Sequence, residues 1–218
     1  MKNKNIVYDA LDYIKYFEEE KMFYFKITNQ HGLELYVKYI KNIKELLFVF
    51  YGSNDKQDWK NNFKFTPQFL EKNTYFHRGA YLTLHASKSI IIELIQKLGV
   101  EIKKTTILGY SAGGYLAQCL AYELNCCFQF IPLVYIYGSG IILSKDIQRH
   151  FLYCNIFIVQ IVIDNDIVPK LLRKYYPEIV TMKIRLISTK SCFKIKKNHS
   201  LKYYKYLLET YYDQVCAT

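Results

Sequence analysis

Proline and glycine are scarce in this chain of 218 residues, with 4 Pro and 9 Gly, which excludes collagen-like and linker-rich architectures. Acidic residues are outnumbered, 19 against 30 Lys and Arg, so a strongly acidic, self-repelling disordered chain is excluded. The six cysteines show no CxxC spacing and no histidines at zinc-finger intervals, so no metal site is expected. A chain of this length needs no disulfide staples, and buried reduced thiols are expected, including the vicinal pair Cys126-Cys127. No apolar run approaches the ~20 residues of a membrane-spanning helix. The longest runs are short, such as Ile156–Ile163, or broken by Pro132, Gly138 and Gly140. Acids interrupt the N-terminal stretch where a signal peptide would need its apolar core. The expectation is a soluble protein without an evident export signal, and therefore an intracellular one.

What is present is an ordinary globular balance, 51% hydrophobic and 22% charged, with tyrosine and phenylalanine in excess. The net charge of +11 favours a polyanionic partner, and an anionic membrane surface and nucleic acid both fit it. The charge is concentrated between Met182 and Tyr206, which hold eight bases and no acid. No helix-turn-helix, zinc or RNP-like pattern accompanies it, so nucleic acid is not the expected partner.

Apolar residues at helical spacing from Ile6 to Phe17 predict an opening amphipathic helix. Phe23–Thr28 and Leu33–Val37, joined by Asn29-Gln30-His31-Gly32, predict a hairpin with His31 in its turn. Leu46–Tyr51 reads as a strand buried on both faces. Asn54–Pro67 reads as a polar loop, and Thr83–Leu98 as one helix stopped by Gly99, with His85 near its start. Strands are predicted at Thr105–Gly109, Phe130–Tyr137, Ile156–Ile163 and Met182–Ile187, and helices at Ala112–Leu124 and Leu201–Tyr212. This alternation indicates an α/β fold with a mostly parallel central sheet flanked by helices, read as one domain over residues 1–218.

The chemistry-bearing motif is Gly109-Tyr110-Ser111-Ala112-Gly113. Between a strand and a helix, G-x-S-x-G is a turn so sharp that the serine is held in a strained conformation with its Oγ presented above the sheet. The next backbone N–H, that of Ala112, then points to where an oxyanion forms. A serine hydroxyl needs a histidine base, and the base needs a carboxylate to hold its tautomer. In hydrolases with this elbow the chain order is Ser, acid, His. Only His150 and His199 follow Ser111, and both Asp164 and Asp166 follow the Ile156–Ile163 strand, so local reasoning leaves the acid open between them. His77 precedes the serine and reads as a packing or hydrogen-bonding residue; His150, ahead of the acid strand, reads as a surface residue.

Four ordered segments resemble the class 3 lipases, the fungal-type triacylglycerol lipases. Phe48-Val49-Phe50-Tyr51-Gly52-Ser53 with Asp58-Trp59 resembles the family's F-R-G-[ST] strand and the D-W segment after it. Phe76-His77-Arg78-Gly79-Ala80 resembles V-H-x-G-F, and Ile107–Ala117 resembles T-G-H-S-L-G-G-A-L-A, with Tyr110 in place of the usual His. Asn165-Asp166-Ile167-Val168-Pro169 resembles N-D-x-V-P. The resemblance implies an α/β-hydrolase fold and hydrolysis of lipid carboxylic esters without a cofactor, on triacylglycerols or phospholipids. It makes Ser111 the nucleophile, Asp166 the acid and His199 the base, with a trimmed loop between the last two. It gives Ser53 and Ala112 as oxyanion donors and the segment around Trp59 as a lid over an acyl pocket. The basic stretch around His199 would then meet an anionic membrane or lipid interface. The alternative expectation is a catalytically silent α/β-hydrolase that serves as a binding module at anionic surfaces.

Overall fold

A computed structural model describes residues 2–18, 25–52, 66–71, 74–171, 176, 182–188 and 198–216, with side chains described for all of these except 2–4, 71 and 214–216. The chain opens with α1 (Lys2–Ile14), continued by a 3-10 turn, Lys15–Phe17. The strands β1 (Phe25–Thr28) and β2 (Glu34–Ile40) form the expected hairpin, with the amides of His31 and Leu33 donating to Asn29 Oδ1 in the turn. Then come β3 (Glu45–Phe50), a small separate hairpin of β4 (Pro67–Glu71) and β5 (Thr74–His77), and helices α2 (Arg78–His85) and α3 (Lys88–Leu98). The remainder runs β6 (Lys104–Tyr110), α4 (Gly113–Phe128), β7 (Leu133–Tyr137), α5 (Lys145–Tyr153), β8 (Phe157–Ile163), β9 (Met182–Leu186) and α6 (Leu201–Cys216).

Seven strands form the main sheet in the order β1-β2-β3-β6-β7-β8-β9. The pairs from β3 to β9 are parallel, and β1 and β2 are added antiparallel at one edge. All six residues of β3 are buried. Its side chains alternate between two cores, as strand geometry requires. Leu46, Phe48 and Phe50 join one core with α2–α5, and Leu47 and Val49 join the other with α1 and α6. The second core is unusually phenolic: Tyr135 and Tyr137 of β7 lie in it with no exposure, and the Tyr137 hydroxyl donates to Ala10 O of α1 at 2.6 Å.

Three expectations are corrected. The single helix over Thr83–Leu98 is two helices broken at Ala86-Ser87. Neither proline nor glycine marks that break; the Asn29 side chain of the β1–β2 turn reaches across to donate to Thr83 O and Ser87 Oγ, fixing the chain there. His85 consequently lies at the end of α2, where it is exposed. Cys126 and Cys127 are exposed at the last turn of α4, whereas Cys119, about two turns earlier, is buried. Helix α5 and the β4–β5 hairpin are additions to the sequence reading. The expected loop at Asn54–Pro67 lies mostly outside the described residues.

Candidate active site

The site lies at the carboxyl ends of the parallel strands, where open α/β sheets bind ligands. Strand β6 ends at Tyr110, and the chain turns into α4 through Ser111 and Ala112. Ser111 has φ +55, a left-handed conformation that a side-chain-bearing residue rarely adopts. Its amide donates to Tyr137 O of the neighbouring strand at 2.9 Å, so the sheet itself holds the strain. The flanking glycines are required by close approach. A Cβ at Gly109 would stand 2.5 Å from Gly113 O, and one at Gly113 would stand 2.4 Å from Phe50 O. Ala112 is the residue that caps α4, and its amide forms no hydrogen bond among the described residues. It stands at the positive end of a 16-residue helix, a place that favours a developing negative charge.

His199 precedes α6. Its Nε2 lies 2.7 Å from Ser111 Oγ and its Nδ1 2.6 Å from Asp166 Oδ2. Of the two candidate acids, Asp164 is exposed, while Asp166 has no exposure and is the one beside His199. Asp166 Oδ1 accepts from the Val168 amide at 3.0 Å, and Oδ2 also accepts from the Tyr204 hydroxyl at 2.7 Å. The Tyr204 hydroxyl in turn accepts from the Ile163 amide at 3.3 Å. A fully buried carboxylate thus has donors on both oxygens, which burial demands.

Tyr110 covers the other side of the imidazole. Its ring lies 5.4 Å from that of His199 with the planes 22° apart, and its hydroxyl donates to His199 O. Burial, reinforced by the nearby Asp166 charge, pushes the Tyr110 phenol up to about 12, so it remains a donor throughout the neutral range. Burial likewise pushes the Tyr204 phenol well above its ordinary value, with the same carboxylate adding to the effect. Neither tyrosine was assigned a site role by sequence reasoning. Tyr204 carried a usable signal, since it falls on α6 just beyond His199; Tyr110 was read only as a replacement for histidine.

Of the other sequence-predicted residues, Ser53 and Trp59 lie outside the described residues. Gly52, immediately before Ser53, lies against the elbow: a Cβ there would be 3.1 Å from Ser111 Cβ. His77 is buried, as read, and caps α2 by accepting from the Ala80 amide at 3.2 Å. His150 is corrected from a surface residue to a half-buried one, with Nε2 2.8 Å from Asn125 Oδ1. The basic run is also less free than its composition suggests, because Lys205 pairs with Glu18 of the opening segment. Lys190, Lys194, Lys196 and Lys197 lie outside the described residues.

The profile of the lipase (class 3) family matches residues 47–176, which include most of β3, the elbow and Asp166. The chain belongs to the class 3 lipase family. Among solved structures it is similar to Rhizomucor miehei triacylglyceride lipase, at 16% identity and a TM-score of 0.63 over 77% of this chain and 66% of that one. A lipase from Rhizopus microsporus var. chinensis matches at 16% identity and a TM-score of 0.60, over 68% and 55% of the two chains. The mono- and diacylglycerol lipase from Aspergillus oryzae matches at 18% and 0.58, over 68% and 57%. These likenesses establish the α/β-hydrolase fold. This class 3 lipase family member spans less than two thirds of the length of these three neighbours. No curated protein matches the sequence.

Proposed function

We propose that this protein is a serine hydrolase that cleaves carboxylic esters of lipids through an acyl-enzyme on Ser111. The observation that carries the reading is the continuous hydrogen-bonded line from Ser111 Oγ through both nitrogens of His199 to Asp166, starting from a serine at φ +55. Membership of the class 3 lipase family and the fold shared with fungal lipases support the choice of lipid esters.

In this mechanism His199 Nε2 takes the Ser111 hydroxyl proton as Oγ attacks the ester carbonyl carbon. Asp166 holds the Nδ1–H and stabilises the imidazolium that forms. The carbonyl oxygen becomes an oxyanion at the amino end of α4, where the Ala112 N–H donates to it. Ser53 supplies the second donor, a role supported by the contact of Gly52 with Ser111. Collapse expels the alcohol, which leaves with the proton from Nε2. Water then attacks the acyl-enzyme, giving its proton to Nε2, and breakdown returns the carboxylic acid and the Ser111 hydroxyl. Trp59 belongs to the lid over the acyl pocket, and the basic surface draws the enzyme to anionic lipid interfaces.

Two measurements test this reading. A fluorophosphonate should label the protein, and labelling should disappear in Ser111→Ala. A panel of esters graded by acyl length should be hydrolysed by the parent, with rates falling by at least ~10³-fold in Ser111→Ala and His199→Ala. A folded parent that neither labels nor hydrolyses any member of the panel would instead be a silent binding fold.

A further inference from the structure

Strand β8 leads into a short turn whose packing sorts its side chains. The Val168 amide donates to Asp166 Oδ1, and Val168 and Pro169 are buried, which pins the 3-10 turn Val168–Lys170 to the body. Ile167 and Leu171, at its two ends, are left 37% and 47% exposed, with Lys170 exposed between them. The end of β9 runs alongside: the Asp164 amide donates to Leu186 O, and Asn165 Nδ2 donates to Ser188 O. Between those two contacts Ile187 stands 79% exposed. The start of α6 is fixed to both turns, since Asn198 Nδ2 donates to Asn165 O and the hydroxyls of Ser188 and Tyr203 lie 2.7 Å apart. Isolated exposed apolar residues are ordinary, but three aliphatic tips on adjoining, hydrogen-bonded turns mark an interaction surface.

Cations stand around these tips. Lys170, Arg185 and Lys202 are exposed, and none pairs with a carboxylate among the described residues; Lys170 Nζ donates instead to the backbone oxygen of Asp164. Among the described residues from Asp164 to Leu171 and from Met182 to Ser188, the one exposed carboxylate is that of Asp164. Protein partners favour surfaces poor in lysine. Aliphatic tips beside long cationic side chains suit a lipid layer instead, where the tips enter the acyl region and the cations reach the headgroups.

We infer that the turns after β8 and β9, with the start of α6, form a docking rim for an anionic lipid surface: Ile167, Leu171 and Ile187 enter its acyl region while Lys170, Arg185 and Lys202 meet its headgroup phosphates. The rim lies beside Asp166 and His199, and β6 separates β8 and β9 from β3 in the sheet. It is therefore distinct from the segment around Trp59, which follows β3, and it brings lipid to the acid side of the elbow. A role in presenting esters to Ser111 rests on the hydrolase reading above, whereas docking itself does not.

Flotation of the full-length Ser111→Ala chain, which spares the vesicles, tests docking apart from hydrolysis. Vesicles of phosphatidylglycerol and phosphatidylcholine should retain the protein at least about tenfold better than phosphatidylcholine alone. Lys170→Gln and Lys202→Gln in this background should each weaken retention on the anionic vesicles about fivefold. Leu171→Asn and Ile187→Asn should each weaken it about tenfold or more, and Ile187→Leu should retain it. Ile131→Asn, which replaces an exposed aliphatic just before β7 at the opposite end of the sheet, should have no effect. All the replaced side chains are exposed, and an unchanged unfolding midpoint checks that each variant is folded. With Ser111 restored, the ratio of vesicle-ester to soluble-ester turnover should fall in step with retention. No retention on anionic vesicles, losses from the lysine variants without losses from Leu171→Asn and Ile187→Asn, or an equal loss from Ile131→Asn would overturn the inference. So would an Ile187-dependent dimer in sedimentation velocity without vesicle retention, which assigns the surface to a second copy of the chain. A chain that is retained as described but hydrolyses no ester keeps the rim and removes the hydrolase reading; hydrolysis of soluble esters without retention does the reverse.

Discussion

Gly113→Ala is the substitution that most directly tests whether the elbow geometry sets activity. The added Cβ would stand 2.4 Å from Phe50 O and 2.5 Å from Tyr51 O, where ordinary contact begins at 3.4 Å. One side must therefore retreat by about 1 Å. Phe50 is fully buried and registered with both Leu35 of β2 and Gly109 of β6, so the sheet is the stiffer side. The first turn of α4 gives way instead, carrying the Ala112 amide and the Ser111 side chain with it. Overpacking of this kind costs about 1–3 kcal/mol of stability. A 1 Å displacement of a catalytic array costs about 10²-fold in rate. The assay is kcat/KM on a soluble short-acyl ester, measured on protein shown to be folded by its denaturant midpoint. Ile95→Ala in α3 is the control: Ile95 is buried far from the elbow, so its truncation should cost about 2–5 kcal/mol while leaving kcat/KM of the folded protein unchanged. A folded Gly113→Ala variant within threefold of the parent's kcat/KM would refute the link between this close approach and catalysis.

Tyr204→Phe removes a hydroxyl bonded to a buried carboxylate, so stability should fall by about 1.5–3 kcal/mol by urea titration, with kcat reduced about tenfold and KM unchanged. Above pH 10 the fold should weaken steeply. Tyr115, Tyr137 and Tyr204 are buried, and burial raises each phenol above its ordinary value of 10, so the unfolded chain releases these protons first. Their contribution is intact below pH 10 and is lost above it at about 4 kcal/mol per pH unit once the unfolded phenols are ionised; a denaturation midpoint that stays flat from pH 9 to 11.5 contradicts it. Ser144→Ala removes the cap of α5, whose Oγ accepts from the Ile147 amide, and should cost about 1 kcal/mol in thermal unfolding without altering ester hydrolysis.

Much of this architecture could be read from local pattern because local pattern is what builds it. The run Leu46–Tyr51 announces a strand covered on both faces, and β3 is fully buried. The elbow is legible because a strand, a G-x-S-x-G turn and a helix appear in immediate succession. The acid was ambiguous for a physical reason: Asp164 and Asp166 follow the same strand, and only the turn at Asp164-Asn165 decides which carboxylate faces inward. The break between α2 and α3 was invisible because its cause, the Asn29 amide, lies 54 residues away from Thr83. Helix α5 offers few apolar residues, with Ile147 and Phe151 meeting the core, so its period is weak even though Ser144 marks its start. The site roles of Tyr110 and Tyr204 depend on contacts 89 and 38 residues distant in sequence, which no window could supply.

The position of His199 follows from the same long-range contacts. The family resemblance implied a trimmed loop between Asp166 and His199, an interval of 33 residues here. Yet the described contacts that fix the imidazole come from elsewhere. Tyr110, at the end of β6, stacks on the ring and bonds the His199 carbonyl. Asp166, at the end of β8, holds Nδ1, and Asn198 anchors the preceding turn by donating to Asn165 O at 3.2 Å. Tyr204 ties α6 to the same carboxylate and to the Ile163 amide. Each partner is rooted in the parallel sheet or in the helix that packs on it. The length of the connecting loop therefore does not enter the geometry at Ser111, and the loop can vary while the hydrogen-bonded line is kept. The replacement of the family's histidine by Tyr110 fits this arrangement, because a phenol offers both a flat ring for the imidazole and a hydroxyl long enough to reach the backbone beyond it.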